Sequence, residues 1–253
     1  MTRFVVLTSP RSGSGWLIDM LNSHPAIVAH PELFHVERRT APDYGAQDVP
    51  YFETYLTSAA HSPKRSRLVQ QVGYLARLYR ARLGVQAIGF KLTYVQANAN
   101  AALLPLLSVQ RVRVVHLIRA NLLAALISWK IARETGIYHV RRQPEHRGLV
   151  LVDPERLRSE LEVQELAIEG ARRRLERLRL PRLEISYEEL FGRKEETFTR
   201  VLRYLGVEPQ FELLDSTLQR TGVGSVLEHL ENADEVRGAL AGTRFEWMLE
   251  EAA

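Results

Sequence analysis

The sequence predicts an α/β fold: a P-loop-like parallel sheet flanked by helices and carrying a helical and loop cap. Three observations predict it. Short apolar runs of strand length alternate with stretches of helical periodicity, the pattern of a parallel sheet covered on both faces. The first apolar run leads into a glycine- and serine-rich turn and then a helix, which gathers backbone amides at a helix N-terminus. The 253 residues are 45% hydrophobic and 25% charged, enough for one domain with a substantial core. The chain therefore reads as a single domain over residues 1–253, with excursions from the core at about 41–83 and 134–152.

The elements follow in order. Arg3–Ser9 is a short strand built on Phe4–Leu7, and Pro10-Arg11-Ser12-Gly13-Ser14-Gly15 is a tight polar turn. Trp16, Leu17, Met20 and Leu21 recur at helical spacing, so a helix starts near Ser14 and ends before Pro25. Ala26–Ala29 is a second strand. Residues 41–63 carry Pro42, Pro50 and Pro63 and little periodicity, whereas Leu68, Val72, Leu75 and Leu78 mark a basic helix within 64–83. Ala87–Tyr94 and Val112–Ile118 are strands. Asn121–Arg133 is apolar on most sides, as a helix buried against a sheet must be. Residues 134–152 are loop-like and rich in His and Arg. Asp153 then caps a helix with Pro154 in its first turn. Its apolar stripe is Leu157, Leu161, Ala167, Ala171, Leu175 and Leu178, and Pro181 closes it. Arg182–Ser186 is a strand, a helix over Glu195–Leu205 stops at Gly206, and a last helix lies near Glu235–Leu240.

Composition excludes several chemistries. The chain has no cysteine, which removes disulfide scaffolds, thiolate zinc sites, iron–sulfur clusters and cysteine nucleophiles. Lys plus Arg number 34 against 30 acidic residues, a net charge of +4. That mild excess fits a small polyanionic ligand at least as well as nucleic acid, and no nucleic-acid partner is expected. The longest apolar run, Leu122–Trp129, is far too short to span a bilayer, and no secretory signal is visible. The expectation is a soluble cytoplasmic protein, with its oligomeric state left open.

Two motifs point to an anion. In Thr8-Ser9-Pro10-Arg11-Ser12-Gly13-Ser14-Gly15, loop amides and a helix N-terminus face one spot, and the helix dipole favours negative charge there. Glycines allow close approach, serines add donors and Arg11 adds a charged fork. The candidate ligands are Arg11, Ser12, Gly13, Ser14, Gly15 and the amide of Trp16, whose ring reads as helix packing. A Walker A loop would need Lys-Ser/Thr after its last glycine, but Trp16 follows Gly15. The alternative is a turn that binds nothing. The second motif is Val114–Arg119, with Ser128 nine residues beyond the arginine. If the turn after the strand takes up a few residues, Arg119 and Ser128 converge on one anion. Otherwise Arg119 is an ordinary strand-end arginine and Ser128 bonds its own helix.

Together these motifs make the chain resemble the sulfotransferases that use 3′-phosphoadenosine 5′-phosphosulfate (PAPS), in the bacterial carbohydrate branch typified by trehalose sulfotransferase. The resemblance also rests on Asn22-Ser23-His24-Pro25, Gly89-Phe90-Lys91, Arg119-Ala120-Asn121-Leu122-Leu123, Glu231-Asn232-Ala233-Asp234-Glu235-Val236-Arg237 and Gly242-Thr243-Arg244-Phe245-Glu246. The Arg–Ser spacing of nine departs from the eight usual in cytosolic arylsulfotransferases and fits the other branch.

The resemblance implies the sulfotransferase fold and transfer of a sulfuryl group from PAPS to an acceptor hydroxyl, releasing adenosine 3′,5′-bisphosphate. It implies no metal. The first loop would hold the 5′-phosphosulfate; Arg119 and Ser128 would hold the 3′-phosphate, with Arg220 in a late basic loop as a further ligand. Arg11 and Lys91 would reach the sulfonate or bridging oxygens. Tyr187 would lie beside the adenine, or else is a core aromatic. In the cytosolic enzymes a histidine two residues after a strand lysine is the base. Lys91-Leu92-Thr93 puts Thr93 there, and a neutral threonine cannot serve. The branch resemblance assigns the base to Glu32, with His35 as runner-up. The acceptor, a carbohydrate or a natural-product or lipid hydroxyl, would enter between 41–63 and the loop 134–152 with Tyr138, His139, Arg141, Arg142, His146 and Arg147. The competing readings are a non-catalytic PAPS- or nucleotide-binding protein and, further off, a P-loop kinase.

Overall fold

The computed structural model describes residues 1–35, 44–58, 66–137, 149–218 and 225–250. Its centre is one five-stranded sheet of β1 (Thr2–Thr8), β2 (Ile27–Glu32), β3 (Ala87–Thr93), β4 (Arg113–Ile118) and β5 (Arg182–Ser186). The strand order is β2-β3-β1-β4-β5 and every pairing is parallel. All five strands therefore end at one edge, where ligands of open parallel sheets bind.

The helices are α1 (Ser14–Ser23), α2 (Phe52–Thr57), α3 (Arg67–Leu78), α4 (Tyr94–Ala99), α5 (Leu103–Val109), α6 (Leu122–Thr135), α7 (Pro154–Arg177), α8 (Tyr187–Gly192), α9 (Lys194–Leu205) and α10 (Ala233–Leu240). Side chains alternate across a strand, and both faces of β1 are covered. Phe4 and Val6 pack with Leu17 and Leu21 of α1 and Phe198 and Leu202 of α9. Val5 and Leu7 pack with Leu75 and Leu78 of α3, Leu123 and Ile127 of α6 and Leu161 of α7. Gly89 on β3 is required by that packing: a Cβ there would lie 2.5 Å from the Phe4 ring and from the Phe4 carbonyl oxygen.

The expected strands are all present, with one correction that matters for the site. The second strand does not stop at Ala29 but continues to Glu32 through a register shift. Two helical stripes are also rotated from expectation. On α3 the buried residues are Gln71, Tyr74, Leu75 and Leu78, while Leu68 and Val72 are exposed. The Tyr74 hydroxyl, which donates to the Pro50 carbonyl at 2.6 Å, turns this face inward. On α7, Ile168 replaces Ala167 in the buried stripe. The short helices α2, α4, α5 and α8 were not anticipated. Each has six or seven residues, about two turns or less, too few to show a period.

Candidate active site

The loop between β1 and α1 is closed by its own hydroxyls. Thr8 Oγ1 donates to the Leu117 carbonyl on β4 at 2.8 Å, and Ser12 Oγ donates to the Ser9 carbonyl at 2.8 Å. The Thr8 and Ser12 hydroxyls also touch each other. Ser12 is fully buried, so its hydroxyl holds the loop, and its backbone N–H is the group it can offer an anion. Arg11 (φ 63°) and Gly13 (φ 77°) both adopt the left-handed region, where a non-glycine residue is uncommon. Gly13 stands at the N-cap of α1, and no side chain caps that end. The first-turn amides of Ser14, Gly15 and Trp16 thus meet the dipole end of the helix.

What holds Arg11 in that conformation comes from far along the chain. Its carbonyl accepts a bond from Arg119 Nη1 at 2.9 Å, and its Nε donates to Ser128 Oγ at 3.0 Å. Arg119 follows β4 directly, and Ser128 lies on α6. The turn between them is fixed by Glu188, whose two oxygens accept from Ala120 N and Asn121 N at 3.1 Å each. Asn121 caps α6 through Ala124 N at 2.8 Å and donates from Nδ2 to the Met248 carbonyl at 2.9 Å. The structure therefore brings together Arg11, Ser12, Gly13, Ser14, Gly15, Arg119 and Ser128.

Tyr187 completes this group as a buried spacer. The Arg119 guanidinium lies 4.3 Å from its ring centroid, a cation–π distance. A Cβ on Gly13 would come within 2.8 Å of the same ring. Trp16 points elsewhere: its ring stacks on Phe191 at 4.5 Å and meets Phe198 edge-on at 5.5 Å. Its side chain is packing between α1, α8 and α9. Arg220 and the His- and Arg-rich stretch 138–148 lie outside the described residues.

A second group forms one strand over. In β2 the register passes from His30↔Phe90 to Glu32↔Lys91, so Pro31 is the extra residue of a bulge. β2 is an edge strand, which is where a proline and a bulge are tolerated. Successive residues alternate faces, and the extra residue reverses the alternation. It sets Glu32 beside Lys91. Lys91 Nζ is 2.6 Å from Glu32 Oε1, and both side chains are largely buried. Gln96 Nε2 of α4 donates to Glu32 Oε2 at 2.7 Å. His35, three residues beyond β2, is half-buried.

Two buried histidines flank these groups. On β2, burial pushes His30 down to about 4, although Asp48 and the Ala46 carbonyl favour its charged form. On β4, burial lowers His116 as well, against the opposing pull of Glu184. His116 bridges the Tyr94 hydroxyl at 2.7 Å and Glu184 at 2.9 Å. Glu184 is lowered mainly by its bonds to Arg172, at 2.6 and 3.0 Å. Tyr94 is the first residue of α4, so this chain ties the start of α4 to β4, β5 and α7.

Reading the sequence alone missed Gln96 and Glu188. Gln96 had a signal: Thr93-Tyr94-Val95-Gln96 is the threonine–glutamine pattern of a capping box. Glu188 had none, since it acts on the backbone of a segment 67 residues earlier.

The model of the Stf0 sulphotransferase family matches residues 3–229 of the chain. Among curated proteins none matches it. Among the described residues, no helix is long and apolar enough to cross a membrane.

Proposed function

The chain belongs to the Stf0 sulphotransferase family, and from that premise we propose that it moves a sulfuryl group from PAPS to an acceptor hydroxyl, with Glu32 as general base. The acceptor class this reading favours is a carbohydrate or a natural-product or lipid hydroxyl. PAPS, when bound, supplies the sulfuryl group and leaves as adenosine 3′,5′-bisphosphate.

The observation that carries the reading is the bond from Arg119 to the Arg11 carbonyl. It sets a guanidinium after β4 against the amide loop after β1, which supports one anion site built from distant stretches of chain. The turn itself needs Gly13, which has a left-handed φ and no room for a Cβ beside the Tyr187 and Phe191 rings.

The residues then divide the work. The amides of residues 12–16 and the α1 dipole hold the 5′-phosphosulfate. Arg119 and Ser128 hold the 3′-phosphate, and Arg220 joins them. Tyr187 lies on the adenosine side and keeps the Arg119 guanidinium in place by stacking. Arg11 and Lys91 balance the charge that moves onto the leaving phosphate, which is where fixed cations lower a barrier most. An ammonium has three N–H donors, so Lys91 can contact Glu32 and a sulfonate oxygen together. Glu32 takes the acceptor's proton.

The test is direct. Incubation with radiolabelled PAPS and a panel of sugars, glycolipids and phenols labels a hydroxyl acceptor. Glu32→Gln keeps adenosine 3′,5′-bisphosphate binding in calorimetry and loses turnover by about a hundredfold or more. Full turnover in that variant removes Glu32 from the role.

A further inference from the structure

We propose that Gln96 is a positioning residue for Glu32, fixing the plane and proton affinity of its carboxylate through the spare arm of a helix cap. This rests on the reading of Glu32 as the base.

The cap dictates which way the Gln96 amide faces. Thr93 is the N-cap of α4, and its Oγ1 accepts from Gln96 N at 3.3 Å. Gln96 Oε1 accepts from Thr93 N at 3.1 Å. A backbone N–H can only donate, so Oε1 must be the carbonyl end and Nε2 the donor end. That donor end meets Glu32 Oε2 at 2.7 Å. A glutamate at this position would close the same capping box but would bring no donor to Glu32. The glutamine therefore does something the cap does not need.

The arrangement is rigid. Gln96 is 7% exposed. Its backbone carbonyl accepts from Asn100 Nδ2 at 3.0 Å, and Asn100 Oδ1 accepts from Gln71 Nε2 at 3.0 Å. At the other end of α4, Tyr94 is tied to His116. Lys91 Nζ holds Glu32 Oε1, so two donors on two different elements grip the two oxygens of one carboxylate. A carboxylate oxygen accepts more than one bond, so both contacts can persist while a proton is taken. A fixed carboxylate shortens the search for the reactive geometry. Donors to the charged form also lower its proton affinity. The charged group facing Glu32 from β3 is Lys91; Gln96 on α4 is neutral; and His30, two residues earlier on β2, has Asp48 3.8 Å away, itself paired to Arg82.

Carbon-13 NMR of the chain labelled at glutamate carboxyls reads this without knowledge of the acceptor. Glu32→Gln identifies the Glu32 resonance by its loss. Gln96→Glu retains the acceptor arm of the cap and removes the donor, and Gln96→Met removes both. In Gln96→Met the Glu32 titration midpoint should rise by about one pH unit, a tenfold gain in proton affinity from loss of the donor alone; in Gln96→Glu it should rise further, because a second carboxylate then faces Glu32. An unchanged Glu32 midpoint in Gln96→Met overturns the proposal, and a drop in its melting temperature with no change in midpoint would make Gln96 a cap alone. If Glu32→Gln keeps full turnover, the base assignment fails instead, and the midpoint still reports whether Gln96 governs that carboxylate.

Discussion

His30 makes the strand that carries Glu32 sensitive to acid, and the size of the effect follows from its burial. The side chain is fully buried on β2. Its Nδ1 faces the Ala46 carbonyl at 3.1 Å. Burial pushes it from 6.5 down to about 4. The folded value is depressed, so the unfolded chain takes the proton first. Stability is then lost as pH falls below about 6.5, and the loss continues until about 4. Between pH 7 and pH 5 the linkage relation gives a loss of about 2 kcal/mol from this group. His30→Asn offers an amide donor to Ala46 in place of Nδ1 and does not titrate. Urea unfolding of both proteins at the two pH values gives four free energies. The parent's loss should exceed the variant's by about 2 kcal/mol. Other groups contribute in the same direction, including His24, His116 and Glu184, all held below their usual values, but they are common to both proteins and cancel. An equal pH dependence in parent and variant refutes the reasoning.

Gly89→Ala places a Cβ against the Phe4 ring and the Phe4 carbonyl, backbone that cannot yield in a central strand pair. It should cost about 3 kcal/mol in urea unfolding, and a loss near zero would mean that β1 and β3 are spaced more widely than described. Arg119→Ala should weaken adenosine 3′,5′-bisphosphate about tenfold or more, and adenosine 5′-phosphate far less, in calorimetry. Equal losses for the two nucleotides would place the 3′-phosphate elsewhere.

The sheet was legible because its signals are local. β1, β3 and β4 are mostly apolar runs bounded by turns, β5 alternates Leu183 and Ile185 with polar residues after Pro181, and the cap at Asp153 marks where α7 begins. The end of β2 was not legible. His30-Pro31-Glu32 reads as the close of a strand, because proline cannot join a regular ladder. Only the neighbouring strand shows that pairing resumes one residue later. In the site, the glycine–serine loop and Arg119 stand out by residue type. Their meeting does not, because Arg119 reaches the carbonyl of Arg11 across 108 positions. Ser12 shows the limit in the other direction. Its hydroxyl looks like a ligand in the sequence, yet the loop itself takes it up.

The Glu32–Lys91 pair also argues for chemistry rather than scaffold. Its side chains are 15% and 6% exposed, so both charges have been taken largely out of water. Such a pair repays its desolvation poorly, and apolar replacements of similar volume are often neutral or stabilising. The surrounding fold has no shortage of apolar packing: Ile88, Phe90 and Leu92 on β3 are all fully buried. Nor does β2 need the pair for register, since Ile27–His30 already pair with Ala87–Phe90. Two ions, a bulge and a capping amide thus converge on one point at the C-terminal edge of the sheet, at a cost that stability does not justify. The proposed reading accounts for that cost, with Glu32 as the base beside a lysine that meets the sulfonate.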